Sequence, residues 1–431
     1  MTSSPIARRG FTALLAGFSL LLAACGGNNN DDTSGTAQWR VVNLNADVPS
    51  VDIYTSTDKR FDAVAADAIT PYAGISSGTY TVRITNAGNA TSLLSSAFTL
   101  SKDRNYTGIV WGRSGSVKFA TLPENDDVNL IGTDNARIRV FNATSDAGTF
   151  DIYLTQSGAN LEDETPIASS GVSATLGGYK ELSAGDWRLR VTASGDPSDI
   201  RLDVPVLTLA RQTYSTLVLT AGPGGVLLNA THIAQQGAAT ALKNTQARLR
   251  TVASANANGV VAVQLDGTTF SAGLRSPTVG SYQRVTAGAR TVNVLVNGGT
   301  VSSVSRTLAA GGDYTLLVYG TNSVALITDD NRLASAGRYR MRLINGAEGT
   351  DPLSLLIDFA TFDPTNDIAP GQASAFFSGT ANSTARVDVT STSGSSLIYS
   401  ETDVNLQSQG VYTMFVLGGN STPSGVLRKD R

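Results

Sequence analysis

The chain has 431 residues, of which 41% are hydrophobic and 16% charged, and its formal net charge is -3. A single hydrophobic core stops growing near about 250–300 residues, so several domains are expected. The acidic balance, without a basic stripe, excludes nucleic acid as a partner. One cysteine excludes an intramolecular disulfide and a cysteine-based metal cluster.

The first 24 residues are typical of an export signal. Arg8 and Arg9 precede an apolar run over residues 11–24, which is shorter than the roughly 20 residues of a membrane span. The run ends in Leu22-Ala-Ala-Cys25-Gly26, which resembles the lipobox of bacterial lipoproteins. That resemblance implies lipidation of Cys25 and removal of residues 1–24, with the membrane as a partner through the lipid. The alternative is a plain secretory signal in which Cys25 is incidental.

Two further features concern export and sorting. Gly26 resembles the residue that directs lipoproteins to the outer membrane, so the expected location is the cell envelope, lipid-anchored in the outer membrane. The Arg8-Arg-Gly-Phe11 segment resembles a twin-arginine signal, and the export route stays open between the two pathways. Residues 25–37 are polar and small, which predicts a flexible tether.

The mature part repeats one unit four times. Its opening motif recurs at intervals of 99, 111 and 92 residues, as Arg40-Val-Val-Asn43, Arg139-Val-Phe-Asn142, Arg250-Thr-Val-Ala253 and Arg342-Leu-Ile-Asn345. A second segment follows about ten residues later, with Val51-Asp-Ile-Tyr54 and Phe150-Asp-Ile-Tyr153 as its clearest copies. We therefore predict repeats over residues 38–134, 135–245, 246–336 and 337–431.

A late segment of each unit pairs a leucine with a tyrosine. Leu100, Leu308 and Leu406 each lie six residues before Tyr106, Tyr314 and Tyr412, whereas Leu209 lies five before Tyr214. Runs such as Tyr314-Thr-Leu-Leu-Val-Tyr-Gly320 are nearly all apolar, as expected of central strands covered on both faces. The spacing favours a tyrosine corner, and the alternative is that each tyrosine is simply a good strand residue.

These patterns predict an all-β chain of four tandem immunoglobulin-like Greek-key β-sandwich domains. The sequence and order of the motifs also resemble those of the bacterial domain-of-unknown-function family 4397, which occurs in tandem in envelope proteins. The resemblance is carried by residues 40–54, Gly78-Thr-Tyr-Thr-Val82, Leu308 to Gly320 and Ala325-Leu-Ile-Thr-Asp-Asp330. It implies an immunoglobulin-like fold and a surface location, and it supplies no reaction or ligand.

Candidate catalytic and metal-binding residues are few. His232 is the single histidine and is expected in a loop, so a two-histidine zinc site within one chain is excluded. The acidic clusters are Asp31-Asp32, Glu124 with Asp126-Asp127, Glu162-Asp-Glu164 and Asp329-Asp330. None has the alternating oxygen ligands of a calcium loop, and a solvated turn is expected at Asp329-Asp330, with a weak calcium site at a domain junction as the alternative.

Two further motifs have structural explanations. Gly222-Pro-Gly-Gly225 is predicted to be a hairpin turn, because no helix follows it to receive a phosphate. Trp39, Trp111 and Trp187 lie inside strand motifs, so core packing is favoured over a sugar-stacking surface.

The sequence thus predicts no enzyme, no cofactor, and no catalytic or metal site. We expect a cell-envelope lipoprotein that presents sandwich domains for binding, adhesion or a structural role, with an envelope protein or glycan as its unidentified partner. The alternative is a carbohydrate-binding module or hydrolase accessory that acts on envelope or extracellular glycans.

Overall fold

The computed structural model describes residues 35–124, 126–171, 173–256, 258–349, 352–391, 396–419 and 423–431. Strands dominate this part of the chain, and its only helical elements are 3-10 turns at Val128–Leu130, Leu161–Asp163 and Asp363–Thr365. None of the described helices is long and apolar enough to cross a membrane. The predicted all-β class is confirmed.

The strands form four successive units, each built from two sheets. Unit 1 contains β1 (Thr36–Asn43), β2 (Ser50–Thr55), β3 (Asp58–Ala65), β4 (Ala73–Ser76), β5 (Gly78–Asn86), β6 (Ser92–Leu100), β7 (Asn105–Arg113) and β8 (Ser116–Pro123). Unit 2 contains β9 (Asn135–Asn142), β10 (Phe150–Thr155), β11 (Ala168–Ser170), β12 (Lys180–Ser183), β13 (Gly185–Ala193), β14 (Asp196–Leu209), β15 (Tyr214–Ala221), β16 (Leu228–Ala234) and β17 (Ala239–Leu242).

The second half of the chain repeats this arrangement. Unit 3 contains β18 (Gln246–Ala255), β19 (Val260–Leu265), β20 (Thr268–Arg275), β21 (Thr278–Val279), β22 (Gln283–Thr286), β23 (Gly288–Val296), β24 (Gly299–Leu308), β25 (Asp313–Gly320) and β26 (Ser323–Asp329). Unit 4 contains β27 (Arg338–Ala347), β28 (Leu353–Ile357), β29 (Ala360–Thr361), β30 (Phe377–Thr380), β31 (Asn382–Ser391), β32 (Leu397–Leu406), β33 (Val411–Gly418) and β34 (Ser424–Lys429).

Each unit has an inner sheet and an outer sheet, named here for their place relative to the neighbouring unit. In unit 1 the inner sheet has the order β4-β1-β7-β8, and the outer sheet has the order β3-β2-β5-β6. The opening strand runs parallel to the tyrosine-bearing strand in every unit: β1 with β7, β9 with β15, β18 with β25 and β27 with β33. The other ladders are antiparallel, and the predicted tandem immunoglobulin-like sandwiches are confirmed.

Side-chain alternation explains why the inner strands are apolar on both faces. Val41 packs in the core between the two sheets of unit 1, whereas its neighbour Val42 belongs to a separate cluster that includes Phe141 and Val218 of unit 2. Successive side chains of a strand point to opposite faces of the sheet. The inner sheets of units 1 and 2 therefore cover each other, and those of units 3 and 4 do the same around Val252, Leu317 and Phe415.

The tyrosine corner occurs in three of the four units. The hydroxyl oxygens of Tyr106, Tyr314 and Tyr412 accept hydrogen bonds from the backbone N–H groups of Ser101, Ala309 and Gln407 at 3.1, 2.8 and 2.8 Å. Tyr214 instead accepts from Arg137 at 2.9 Å. It lies opposite Arg137, two residues before Arg139, whereas Tyr106 lies opposite Trp39, one residue before Arg40. The shorter leucine spacing in the second copy reflects this shift by one residue.

Candidate functional site: a buried contact between paired units

The arginine of each opening motif is buried on the inner sheet. Arg40, Arg139, Arg250 and Arg342 are 4, 9, 2 and 2% exposed. Each side chain points to the same face as the valine, phenylalanine or isoleucine two residues later, which packs against the paired unit. In each unit its Nε donates to a threonine on the adjacent parallel strand, as in Arg40 to Thr107 at 2.8 Å, Arg139 to Thr216 at 3.1 Å, Arg250 to Thr315 at 2.8 Å and Arg342 to Thr413 at 3.2 Å.

Three of these threonines in turn donate to a carboxylate. The distances are 2.6 Å for Thr107 to Glu124, Thr315 to Asp329 and Thr413 to Asp430. Each acid lies two residues beyond the strand partner of its threonine, and in unit 2 this position holds Gln235. We call this position the acid position. Arginine, threonine and acid form one hydrogen-bonded set in units 1, 3 and 4.

In units 3 and 4, the arginine of each unit pairs with the acid of the other unit. Arg250 of unit 3 donates to Asp430 of unit 4 at 2.5 Å, and Arg342 of unit 4 donates to Asp329 of unit 3 at 2.5 Å. Both ion pairs are almost fully buried. Two opposite charges out of water attract strongly, and removing one partner leaves an uncompensated buried charge. The exchange is reciprocal, as expected of two similar units related by an approximate two-fold axis.

Units 1 and 2 make a one-sided version of the same contact. Arg40 pairs with Glu124 of its own unit at 2.9 and 3.1 Å, and it also donates to the backbone carbonyl oxygen of Ala234 in unit 2 at 3.1 Å. Arg139 reaches across to the carbonyl oxygen of Pro123 at 3.3 Å. Gln235 replaces the acid and bonds the backbone of Asp126 in unit 1 through both ends of its amide.

An aromatic ring covers each buried guanidinium group. The guanidinium carbon lies 4.8 Å from the ring centroid for Arg40 over Tyr72, 4.6 Å for Arg139 over Tyr179, 4.3 Å for Arg250 over Tyr282 and 4.8 Å for Arg342 over Phe376. Cation–π contacts of this kind strengthen when water is excluded.

The hydroxyl of Tyr282 also donates to Asp329 at 2.6 Å. Burial would raise the pKa of Asp329, but the nearby Arg342 and Arg250 outweigh it and hold that pKa below its usual range.

Apolar side chains fill the space around the charges. Ile109 and Val218 of units 1 and 2 each lie two residues after their threonine, and Leu317 and Phe415 of units 3 and 4 occupy the same place. All four side chains are fully buried. The two contacts therefore repeat position by position, with Trp111 against Phe141 at 6.1 Å between ring centroids as the largest addition.

The region between the two pairs is mainly polar. Gly224 N–H donates to the carbonyl oxygen of Gly311 at 3.0 Å, and Asn331 N–H donates to the carbonyl oxygen of Gly224 at 2.9 Å. The guanidinium of Arg431 donates to the carbonyl oxygens of Gly225 and Ala147 at 2.9 and 2.7 Å. The predicted hairpin turn at 222–225 is confirmed, and it has the additional role of joining unit 2 to unit 3.

The structure corrects two expectations about candidate residues. His232 is not in a loop but in strand β16, where it lies opposite Leu217, and burial lowers its pKa. Asp329-Asp330 is not a solvated turn: Asp329 pairs with Arg342, and Asp330 pairs with Arg332 and Arg340 at 2.5 and 2.7 Å. Both carboxylates are therefore paired with arginines.

The remaining acidic candidates serve as local structural groups. Glu124 belongs to the Arg40 set, Asp126 accepts from Tyr179 at 2.8 Å, and Asp127 caps a 3-10 turn. Glu162 lies in the first turn of another 3-10 helix. Within the described ranges, no three His, Cys, Asp or Glu side chains are grouped closely enough to hold a metal ion. Asp31-Asp32 and Cys25 lie outside the described residues.

Two of the tryptophans are core residues, as expected. Trp39 and Trp111 are each 1% exposed, and Trp187 is partly buried against the core of unit 2. A cavity of about 220 Å³ lies beside Arg250, Tyr282 and Asp430. Ligand pockets are usually about 300–1,000 Å³ and mainly apolar, so this cavity is small for an organic ligand.

In the sequence, the recurring arginine marks the first strand of each unit. The arginine, threonine and acid set was not predicted from it. A signal was available, because the threonine follows the corner tyrosine in three units, and an acid lies at the end of the next strand or one residue after it. The exchange between units was not readable, since nothing in the sequence says which sheets face each other.

Comparison with known proteins identifies a family and little else. The model of the domain of unknown function (DUF4397) matches residues 37–153 and 251–356, which together are just over half of the chain. No curated protein matches the sequence. Among solved structures, the Bacillus anthracis TIE protein aligns at 9% identity and a TM-score of 0.14, over 65% of this chain and 49% of that one. The alignment thus spans about half the length of that protein.

Proposed function

Because the chain belongs to the DUF4397 family of domains of unknown function, we propose from its own residues that it is a non-enzymatic lipoprotein of the cell envelope. It presents paired β-sandwich units for binding, adhesion or a structural role at the cell surface. Cys25 carries the lipid, and the polar segment that follows is the tether.

The buried charged groups of the inner sheets support this proposal, because they are held in ion pairs and hydrogen bonds at the contacts between units. Arg40, Arg250 and Arg342 each have a carboxylate partner and a threonine, and these sets join sandwich to sandwich. A general base or nucleophile needs a free group within reach of a substrate. Groups held in this way stabilise an assembly, which suits a protein whose task is to hold surfaces in place.

The anchor is tested by Cys25→Ser in cells of the source organism. We expect the variant to leave the membrane fraction, while the wild-type N-terminal peptide carries acyl mass. Each buried acyl CH₂ adds about 0.8 kcal/mol of membrane affinity, so loss of the chains releases the protein. A matched control is Ser4→Ala, which leaves Cys25 intact and should stay in the membrane fraction. Membrane retention of the Cys25 variant, with no acyl mass on the wild type, contradicts the lipoprotein assignment.

The glycan-binding alternative has a separate test. Buried Trp39 and Trp111 give it no stacking platform, and we expect a soluble Cys25→Ser chain to give no signal on a glycan array. A saturable signal on one glycan class would favour the carbohydrate-binding module instead.

A further inference from the structure

We propose that the arginine, threonine and acid set determines which sandwich units pair, and that the partner it fits outside the chain is unit 3 or 4 of a second copy of this chain. The surface involved is the inner sheet around the reciprocal Arg250–Asp430 and Arg342–Asp329 ion pairs.

The first argument is the equivalence of positions. In both pairs of units, the residue two after the opening arginine and the residue two after the threonine form the apolar contact. The same face of the same sheet is therefore used four times. A surface that meets a similar copy of itself is self-complementary, which is the geometry of a two-fold dimer interface.

The second argument concerns which units can form the reciprocal contact. Asp329 and Asp430 are short and reach the arginine of the opposite unit. Glu124 is longer by one methylene and turns to its own Arg40, while unit 2 has Gln235 at the acid position. Of the two contacts, that between units 3 and 4 is therefore the one with two exchanged ion pairs. A neutral residue at the acid position, such as Gln235, leaves one arginine of the contact without a carboxylate, so the acid position distinguishes a reciprocal contact from a one-sided one.

The third argument is hydrogen bonding at the contact centre. The hydroxyl of Ser254 in unit 3 donates to the carbonyl oxygen of Gly346 in unit 4 at 2.6 Å, and it accepts from Gly418 N–H at 2.8 Å. These bonds fix the register of the two sheets. A second copy of unit 4 would find the same donors and acceptors.

The test uses charge reversal in the full chain, with Cys25→Ser in every variant. Variant A carries Arg250→Glu and Arg342→Glu, which makes the contact all negative. Variant B carries Asp329→Lys and Asp430→Lys, which makes it all positive. Each alone should open its own contact and form no dimer, because an identical copy carries charges of the same sign at the contact. In an equimolar mixture, unit 3 of one chain complements unit 4 of the other, so we expect the molar mass by light scattering to double.

Two controls separate pairing from misfolding. The four substitutions combined in one chain should restore the closed monomer, which shows that each unit tolerates them. The matched control reverses Arg188 and Asp203, an ion pair within the outer sheet of unit 2 with distances of 2.6 and 2.9 Å. Mixing Arg188→Glu with Asp203→Lys should give no change in mass. Folded A and B variants that stay monomeric when mixed would overturn the proposal.

If the charge-reversed chains do not fold, alanine substitutions test the same contact. Arg250→Ala, Asp430→Ala and the double variant form a double-mutant cycle across the contact. We expect the second substitution to raise the unfolding equilibrium constant less in the single variant than it does in the wild type, with a coupling of about tenfold. Additive effects would mean that Arg250 and Asp430 are not energetically coupled across the contact, which would contradict the proposal.

Discussion

The hydroxyl group of Tyr314 ties the start of strand β25 to the segment before it. It accepts from Ala309 N–H, a donor left without another partner when the strand turns into the sandwich. The sequence could predict this bond at Tyr106, Tyr314 and Tyr412, because the six-residue spacing to leucine sets the geometry. It could not predict the partner of Tyr214, since a shift by one residue moves that side chain beside Arg137.

Replacing Tyr314 with phenylalanine tests the corner. We expect Tyr314→Phe to lower the free energy of unfolding of its unit by about 1 kcal/mol, the usual net value of one hydrogen bond. Chemical denaturation measures the change. Tyr80→Phe is the control, because the Tyr80 hydroxyl bonds an exposed carbonyl oxygen of Ser76 and should cost less. Equal small effects would mean that the corner adds no stability.

Asp52 is a second residue whose role the structure defines. Burial alone would raise its pKa, but hydrogen bonds from Ala63 N–H, Lys59 and Gly88 N–H outweigh that effect and lower the pKa to about 2. An unfolded aspartate titrates near about 3.9. The ionised side chain therefore stabilises the fold fully above that pH, and this contribution is lost as the pH falls towards 2.

The pH dependence of Asp52→Asn follows from this shift. We expect the variant to be less stable than the wild type at pH 6, and the difference to shrink as the pH falls from about 4 to about 2. Urea unfolding at each pH measures it. Asp58→Asn is the control, because Asp58 is exposed and its ion pair with Arg60 is long at 3.4 Å. A difference that grows on acidification would contradict the assignment.

At the scale of elements, the turn at 222–225 does more than close a hairpin. Gly225 has a φ of +86°, and a Cβ at this residue would lie 2.6 Å from the backbone nitrogen of Arg332. Glycine is therefore required twice, once for its backbone conformation and once for close approach to the segment after unit 3. The sequence predicted the turn from its residue types, but not the chain that packs on it.

Gly225→Ala should separate these two requirements. We expect it to destabilise the chain by more than Gly195→Ala, which has a φ of +76° and open space around its Cβ position. Both substitutions carry about 1 kcal/mol of backbone strain, so the excess measures the lost approach. Thermal unfolding and small-angle scattering provide the readouts. Identical melting temperatures would show that the turn does not hold unit 3.

At the scale of the whole molecule, the four units are organised as two pairs. Apolar inner faces meet within each pair, whereas backbone hydrogen bonds and Arg431 connect the pairs. The number of repeats was readable from recurring motifs. The pairing of the units could not be predicted. An apolar run such as 314–320 indicates that both faces of the strand are covered, but it does not indicate which unit covers the second face.

Calorimetry tests the paired organisation. We expect two cooperative transitions, because the two sheets of a pair lose their shared apolar contact together. Arg342→Ala should lower the transition of units 3 and 4 by an amount corresponding to about 3 kcal/mol, because the buried Asp329 loses its ion-pair partner, and it should not shift the other transition. Four independent transitions, or a shift of both, would contradict this organisation.

The mutual cover of the inner sheets constrains how such a protein can evolve. Deleting one unit would leave an apolar sheet face open to water, and such a face is prone to aggregation. The two family matches begin in units 1 and 3 and end in the second strands of units 2 and 4. Gene duplication in steps of two units would keep every face covered, so relatives are expected to carry even numbers of copies.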